Sequence, residues 1–481
     1  MNYPMIWRIL GHMILFEAAF MSPSLFVAAV YREKSVVWLL VSMLVCIVIG
    51  LLLTRLIKAK EKRIYAREGS VICALVWVLY SILGALPFRL SGYIPNMIDA
   101  VFETASGFTT TGASILNDVE ALPHWLLFWR SFTHWVGGMG VFVFMLAVLP
   151  MTGAQNMHLM RSESPGPDVG KLVPKLGDSA KILYTIYFGM TVLQIIILLI
   201  SGMPLFDSIT LTFGTAGTGG FGIYNTSIAG YTYIQQLIIS IFMVLFGINF
   251  NFYFFIIIRR SIKEAINMDE VKTYLAIIAA STALIMWNAR NMFESIEDGF
   301  IKSFFQVSSI ITTTGYSTAD FDRWPALSKT ILVCLMFIGA CAGSTGGGFK
   351  ISRLIIMAKS YVRELRHFIH PRLVKNLYMD GRKVKDATVS GVKVYLVSYV
   401  LVLIVSMIII SLDGFDFETN FTAVMATLNN IGPGLSVVGP AGNFDGFSIV
   451  SKYVLSFDML AGRLELYPML LLFAPGTWRK R

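Results

Sequence analysis

The chain has 481 residues, of which 56% are hydrophobic and only 14% charged, with a mean hydropathy of +0.68. A soluble globular protein needs more polar surface than that, so the composition points to a polytopic membrane protein. The net charge of +10 would suit a nucleic-acid partner, but the placement of the basic residues argues against one.

In chain order, apolar runs long enough to cross a bilayer, about 20 residues each, fall near 9–30, 36–56, 70–88, 124–150, 182–203, 231–258, 270–289, 326–356, 387–412 and 447–475. The first follows a single Arg and continues into a full span, so it reads as a retained anchor rather than a cleaved signal. Lys58, Lys60, Lys62, Arg63 and Arg67 follow the second span, and Arg259, Arg260 and Lys263 follow the sixth. Lys359, Arg363, Arg366, Arg372, Lys375, Arg382, Lys383 and Lys385 fill the loop after the eighth. The opposite connections carry Asp118, Glu120, Glu294, Glu297, Asp298, Asp320, Asp322, Asp413, Asp416 and Glu418. Basic loops on one face mark it as cytoplasmic. The charge is therefore topological, and no nucleic-acid partner is expected. The acidic outer face would raise the local cation concentration at a pore mouth.

After the first two spans the chain repeats. Four times, about a hundred residues apart, a short apolar segment ends in a glycine-containing polar turn, with central glycines at 112, 219, 315 and 432. The first and third units align without a gap from Phe102 to Gly112 and from Phe305 to Gly315. Each short segment is too brief to cross a membrane and must re-enter on its own side, which irregular backbone tolerates only inside protein or beside water. Asp99, Asp207, Asp298 and Asp416 open these segments, where a carboxylate suits a helix N-terminus and leaves the negative C-terminal end aimed at the turn. Singly, each is an ordinary cap; four in register suggest a cation path.

The expected fold is therefore an all-α membrane protein with two N-terminal transmembrane helices (1–66). Four pseudo-symmetric units of helix, pore helix, filter loop and helix follow, at 67–150, 151–260, 261–385 and 386–481, around one pore. Carbonyl oxygens in four such loops replace the water shell of potassium. The candidate ligands are the backbones of Thr110, Thr111, Gly112 and Ala113, Gly217, Thr218, Gly219 and Gly220, Thr313, Thr314, Gly315 and Tyr316, and Asn430, Ile431, Gly432 and Pro433. Potassium would be the transported ion, with no organic cofactor in this chain.

The eighth span is interrupted by Gly343, Ser344, Thr345, Gly346, Gly347, Gly348, Phe349 and Lys350. Phe349 separates Gly348 from Lys350, so the segment is a near miss for a phosphate-binding loop. Small-residue helix packing is the plain alternative; a flexible loop across the ion path is the reading favoured here, since broken membrane helices usually line a cavity. Arg463 lies near the middle of the last span, where a guanidinium seldom faces lipid. It reads as structural, paired with Asp458 or Glu465, or as a fixed positive charge beneath the filter that acts as a barrier or gate contact, and the two readings are compatible.

Cys46, Cys73, Cys334 and Cys341 all fall within apolar spans and read as packing residues. Phe250 to Phe255 read as packing or lipid-facing surface, and His134 as a satisfied helix histidine. Nothing in the sequence offers a nucleophile–base pair or a metal cluster, so no enzyme is expected.

These residues resemble the TrkH/TrkG branch of the superfamily of bacterial and plant potassium transporters that also contains KtrB and HKT. The resemblance spans essentially the whole chain. It is most specific in His134-Trp135-Val136-Gly137-Gly138-Met139-Gly140, the Gly343 to Lys350 loop, Gly462-Arg463-Leu464-Glu465 and the four turns. It implies potassium uptake across the bacterial inner membrane, a homodimer, and a cytoplasmic TrkA-type ring that binds nucleotide. It also implies that the Gly-rich loop is the intramembrane gate and that Arg463 helps constrict the pore. The fourth turn departs from the first, with Asn430-Ile431-Gly432-Pro433 against Thr110-Thr111-Gly112-Ala113, so fewer ion sites and weaker selectivity than in a simple potassium channel are expected. Two alternatives are a symporter coupled to protons or sodium, with Glu103, Glu465 or Asp458 as ionisable candidates, and a membrane enzyme or sensor without transport.

Overall fold

A computed structural model describes residues 1–57, 65–140, 176–371 and 376–479, and apart from one short hairpin its regular structure is helical. Two long helices, α1 (Tyr3–Tyr31) and α2 (Val37–Leu56), come first and pack against each other. Four repeats follow. The first holds α3 (Ala66–Leu83), α4 (Met97–Phe108) and α5 (His124–Met139). The second holds α6 (Leu176–Ile200), α7 (Leu205–Gly217), α8 (Tyr233–Phe246) and its continuation α9 (Phe250–Ile257). The third holds α10 (Asp269–Asn288), α11 (Ile296–Ile311), α12 (Ala326–Ile338) and α13 (Ile351–Ile369). The last holds α14 (Asp386–Ile410), α15 (Phe417–Leu428), α16 (Ile449–Arg463) and α17 (Tyr467–Phe473). Among the described residues six helices are long and apolar enough to cross a membrane. The fold is the expected all-α polytopic one, with four helix–short helix–turn–helix units and an extra N-terminal pair.

The short helices start where the sequence provides caps. Asn96 accepts from the Ile98 N–H (2.9 Å), Ser295 from Asp298 (3.1 Å) and Asp416 from Thr419 (3.0 Å). Asp416 is thus the cap itself, and its bonds with Thr419 hold its carboxyl below the usual carboxylate range. Asp99, Asp207 and Asp298 sit in first turns, tied to Lys452 (2.7 Å), Tyr231 (2.9 Å) and Lys302 (2.8 Å). Acidic groups thus hold the outer ends, and the helix C-termini lead into the four turns.

The second helix of each repeat is shorter than the apolar pattern suggests. α5 ends at Gly140 (φ 85°), and the rest of the predicted 124–150 span lies outside the described residues. The 231–258 segment is two helices, α8 and α9, bent by 90° at Gly247–Asn249. The 326–356 segment breaks between Ile338 and Ile351, as the sequence foretells, while the 447–475 segment breaks at Leu464–Leu466, with Glu465 and Leu466 left-handed. The 231–258 and 447–475 segments thus break rather than run as single helices. Each break carries one polar side chain within an otherwise apolar run, Asn249 in the first and Glu465 in the second. The freed backbone groups need internal partners: Asn249 accepts from the Asn251 N–H (3.0 Å), and the Phe250 N–H donates to Gly343 (3.0 Å).

Charges gather at the two ends as the topology requires. At one end Lys359 meets Asp269 (2.8 Å) and Arg363 meets Asp386 (3.1 Å), beside the hairpin β1 (Tyr378–Met379) and β2 (Arg382–Lys383). At the other, Asn225 donates to Asp118 (2.9 Å), Asn117 to Asp445 (3.0 Å) and Lys329 to Glu418 (3.0 Å). Lys58, Lys60, Lys62, Arg63, Arg372 and Lys375 lie outside the described residues. Cys46, Cys73 and Cys341 are buried free thiols, and Cys334 is an exposed one.

Candidate functional site

The four turns share one backbone shape. Thr110, Thr218, Thr313 and Asn430 are all left-handed, with φ of 55°, 56°, 59° and 56°, and two residues later Gly112, Gly220, Gly315 and Gly432 have φ of 81°, 77°, 86° and 97°. Left-handed backbone at a non-glycine residue costs about 1–2 kcal/mol. Four such residues at matching positions mark a backbone imposed by the tertiary structure. In the second turn the equivalent glycine is Gly220, and the predicted central glycine there, Gly219, is one residue out of register. Sequence comparison slipped because Gly219 and Gly220 are adjacent and only dihedrals distinguish them.

The turns close into a ring. A Cβ on Gly112 would overlap the carbonyl oxygen of Gly219, one on Gly220 that of Thr314, one on Gly315 that of Ile431, and one on Gly432 would lie 2.8 Å from that of Thr111. Each glycine thus faces the carbonyl that precedes the next turn's glycine, in the order one, two, three, four and back to one. Only a residue without a side chain fits so close to the neighbouring backbone at positive φ. All four glycines also line a single cavity of about 200 Å³ on the outer side of the ring.

Side chains brace the ring from behind. Arg130 of α5 donates to Glu103 of α4 (2.6 Å), and both are almost fully buried. Glu103 also accepts from the Ile115 N–H (3.0 Å), just past turn one, and Arg130 donates to the Gly222 carbonyl (2.9 Å), just past turn two. His134 bonds the Gly107 carbonyl through Nδ1 (2.7 Å) and accepts from the Phe221 N–H through Nε2 (3.2 Å), which fixes its neutral Nδ1–H tautomer. The Tyr316 hydroxyl donates to Leu211 (3.0 Å), tying turn three to α7, and Asn430 donates to the Thr111 hydroxyl (2.9 Å), tying turn four to turn one.

The Gly343 to Lys350 segment lies against the inner side of the ring. The Gly347 N–H donates to the Thr313 hydroxyl (2.6 Å), and Gly346 and Gly347 press on the carbonyls of Thr312 and Asn429. Ser344, Thr345 and the glycines 346 to 348 are all buried or nearly so, and Lys350 donates to the Gly346 carbonyl. Arg463 reaches across from α16, donating to the Thr345 carbonyl (2.8 Å) and to those of Gly137 and Gly138 at the end of α5. The Thr345 hydroxyl donates to Phe246 at the end of α8 (3.3 Å). The inner ends of the second helices of all four repeats thus meet at one plug. Glu465 pairs instead with Arg353, and Asp458 accepts from Ser406 (2.8 Å), so these acids have partners other than Arg463.

The profile of the TrkH family, described as a cation transport protein, matches residues 39–281 and 271–480. The chain belongs to the TrkH family. It is 37% identical to the Trk system potassium uptake protein TrkH of Salmonella typhimurium, and equally to that of Escherichia coli (strain K12), with 100% of both chains covered in each case. Its fold is similar to the crystal structure of the potassium transporter TrkH from Vibrio parahaemolyticus, with a TM-score of 0.89, 31% identity and all of both chains covered. TrkH-family proteins are transporters, so the chain belongs among transport proteins and not enzymes.

In this TrkH-family chain the sequence-predicted residues come together as two layers, the ring and the plug. Sequence reading missed Arg130 and Asn249, and took Glu103 only as an ionisable candidate. A signal existed for the pair: one arginine and one glutamate in apolar surroundings, each in need of a partner. Asn249 carried a weaker one, as a lone amide in the apolar stretch Gly247-Ile248-Asn249-Phe250. His134, read as a satisfied histidine, is satisfied by joining two repeats, which no local pattern reveals.

Proposed function

We propose that the chain is the ion-translocating potassium-uptake subunit of a Trk system in a bacterial inner membrane. The ring turns, Thr110 to Ala113, Thr218 to Phe221, Thr313 to Tyr316 and Asn430 to Pro433, bind potassium through backbone carbonyls. Residues 217–220, the predicted window in turn two, shift by one with the register. The observation that carries this reading is the closed cycle of four glycine–carbonyl contacts with matched dihedrals. Four backbone segments so arranged offer carbonyl dipoles to a dehydrated cation without presenting a fixed negative charge that would trap it. The membrane potential drives flux, at about 2.3 kcal/mol per charge per 100 mV.

The Gly343 to Lys350 loop and Arg463 act as the gate, filling the path on the inner side with a cation at its centre. A homodimer in membrane lipid and a nucleotide-binding TrkA-type cytoplasmic partner complete the working assembly. Uncoupled flux is favoured over symport because Glu103, Glu465 and Asp458 each hold a protein partner. The test is flux in proteoliposomes with potassium, rubidium, sodium and lithium compared. Potassium and rubidium should exceed sodium and lithium, with a reversal potential indifferent to pH and sodium gradients. Equal rates for all four ions would overturn the filter, and a reversal potential that tracks protons or sodium would establish the symporter.

A further inference from the structure

Glu270 belongs to neither the ring nor the plug, yet the plug's two rims meet on it. It sits in the first turn of α10, 2% exposed. One carboxylate oxygen accepts from the Ala342 N–H (2.6 Å), immediately before the Gly343 loop, and from the Ser352 N–H (3.1 Å), in the first turn of α13 just beyond it. The other accepts from the Asn249 side-chain amide (3.2 Å). Asn249 in turn caps α9, and the adjacent Phe250 N–H donates to Gly343 itself. One buried carboxylate therefore ties together both ends of the loop and the break between α8 and α9. Hydrogen bonds to a charged group are the stronger kind, and a buried carboxylate stays in place only while its donors stay with it.

The neighbouring residue points the other way. Asp269 accepts from Lys359 of α13 (2.8 Å), whose ammonium also donates to the Tyr378 carbonyl of the hairpin (3.0 Å). The Asp269 N–H donates to Asp380 (2.6 Å). Two consecutive acids thus bind the loop on one side and the cytoplasmic connection on the other. A helix turn is stiff, so movement of the hairpin or of α13 reaches the loop through this turn as well as along the chain at Lys350.

We propose that Glu270 is the positioning residue that holds the loop closed and links it to the cytoplasmic face. This rests on the reading of the loop as a gate. With the carboxylate gone, the loop loses a group that pins both its rims, and its closed form loses population to open ones.

The experiment is cation flux in proteoliposomes by the full chain without a partner, normalised to folded protein, for Glu270→Ala, Glu270→Gln and a deletion of Gly346 to Gly348. Glu270→Ala should raise basal potassium flux by about tenfold, given the strength of bonds to a charged acceptor. The potassium-over-sodium ratio should stay within about twofold of the unsubstituted chain, because the ring is untouched. Glu270→Gln should give a smaller rise: its amide oxygen still accepts from Ala342 and Ser352, while its NH₂ opposes the Asn249 donor. A residue that merely supports the fold would lower the melting temperature and leave flux per folded protein unaltered. If the deletion raises flux and Glu270→Ala does not, the clamp is wrong and the gate stands. If neither raises it, both readings fall, and loss of flux or of selectivity in Glu270→Ala also overturns the clamp. Should Glu270→Ala fail to fold, Glu270→Gln decides: raised flux supports the clamp and unaltered flux overturns it.

Discussion

Replacing Glu103 by Ala should damage both the stability and the conduction of this chain, and the two effects have separable sizes. The Glu103 and Arg130 side chains are 0% and 3% exposed, and the guanidinium also lies 3.5 Å from the centre of the Phe221 ring. Without Glu103 the arginine keeps one carbonyl and one aromatic face for a whole buried charge. Breaking a buried pair from one side costs about 3–5 kcal/mol, whereas removing both charges costs far less. Arg130 also lines the cavity above the ring. A lone unit charge about 10 Å from a cation, at an effective dielectric of about 20, costs that cation on the order of 1–2 kcal/mol. That is roughly tenfold in occupancy. Glu103→Ala should therefore melt well below the unsubstituted chain and, per folded protein, pass about a tenth of the potassium. The double variant with Arg130→Met should melt between the two and recover part of the flux. The measurements are thermal unfolding in detergent and flux in proteoliposomes. The reasoning fails if Glu103→Ala melts like the parent, or if the double variant is the less stable of the two.

Three further outcomes are expected. Gly220→Ser and Gly315→Ser should each lower the potassium-over-sodium permeability ratio or abolish uptake, since both add about 1–2 kcal/mol of left-handed strain and push a neighbouring turn's carbonyl aside; unchanged ratios in both would remove the ring from the filter role. Arg463→Ala should raise flux measured without a partner, because the guanidinium bonds three carbonyls on two chain segments around the plug; a lower melting temperature with unaltered flux per folded protein would leave Arg463 a purely structural part. Deleting Gly346 to Gly348 should raise basal flux and keep the ion ranking of the parent, and a well-folded deletion with parental basal flux would make the loop a packing feature.

The sequence by itself determined the membrane class and the fourfold repeat, because these depend on composition and local pattern. Twenty apolar residues span a bilayer whatever surrounds them. The gap-free match of Phe102–Gly112 to Phe305–Gly315 exposed two turns directly, and the glycine cluster at 343–348 announced its own break. Tertiary structure alone decided the rest. Gly220 rather than Gly219 takes the ring position because each turn must fit the carbonyl of the next, a contact made across about a hundred residues. Asn430, which looks like a departure in sequence, adopts the same left-handed shape as Thr110, since the backbone and not the side chain is selected there. The breaks after Phe246 and Arg463 show in the sequence only as Asn249 and Glu465, and their partners are distant: the Gly343 carbonyl accepts from the Phe250 N–H at the first, and the Arg463 side chain beside the second reaches the carbonyls of Gly137, Gly138 and Thr345. Buried polar groups in a membrane must find partners wherever the fold brings them, and a sequence shows the need without showing the partner.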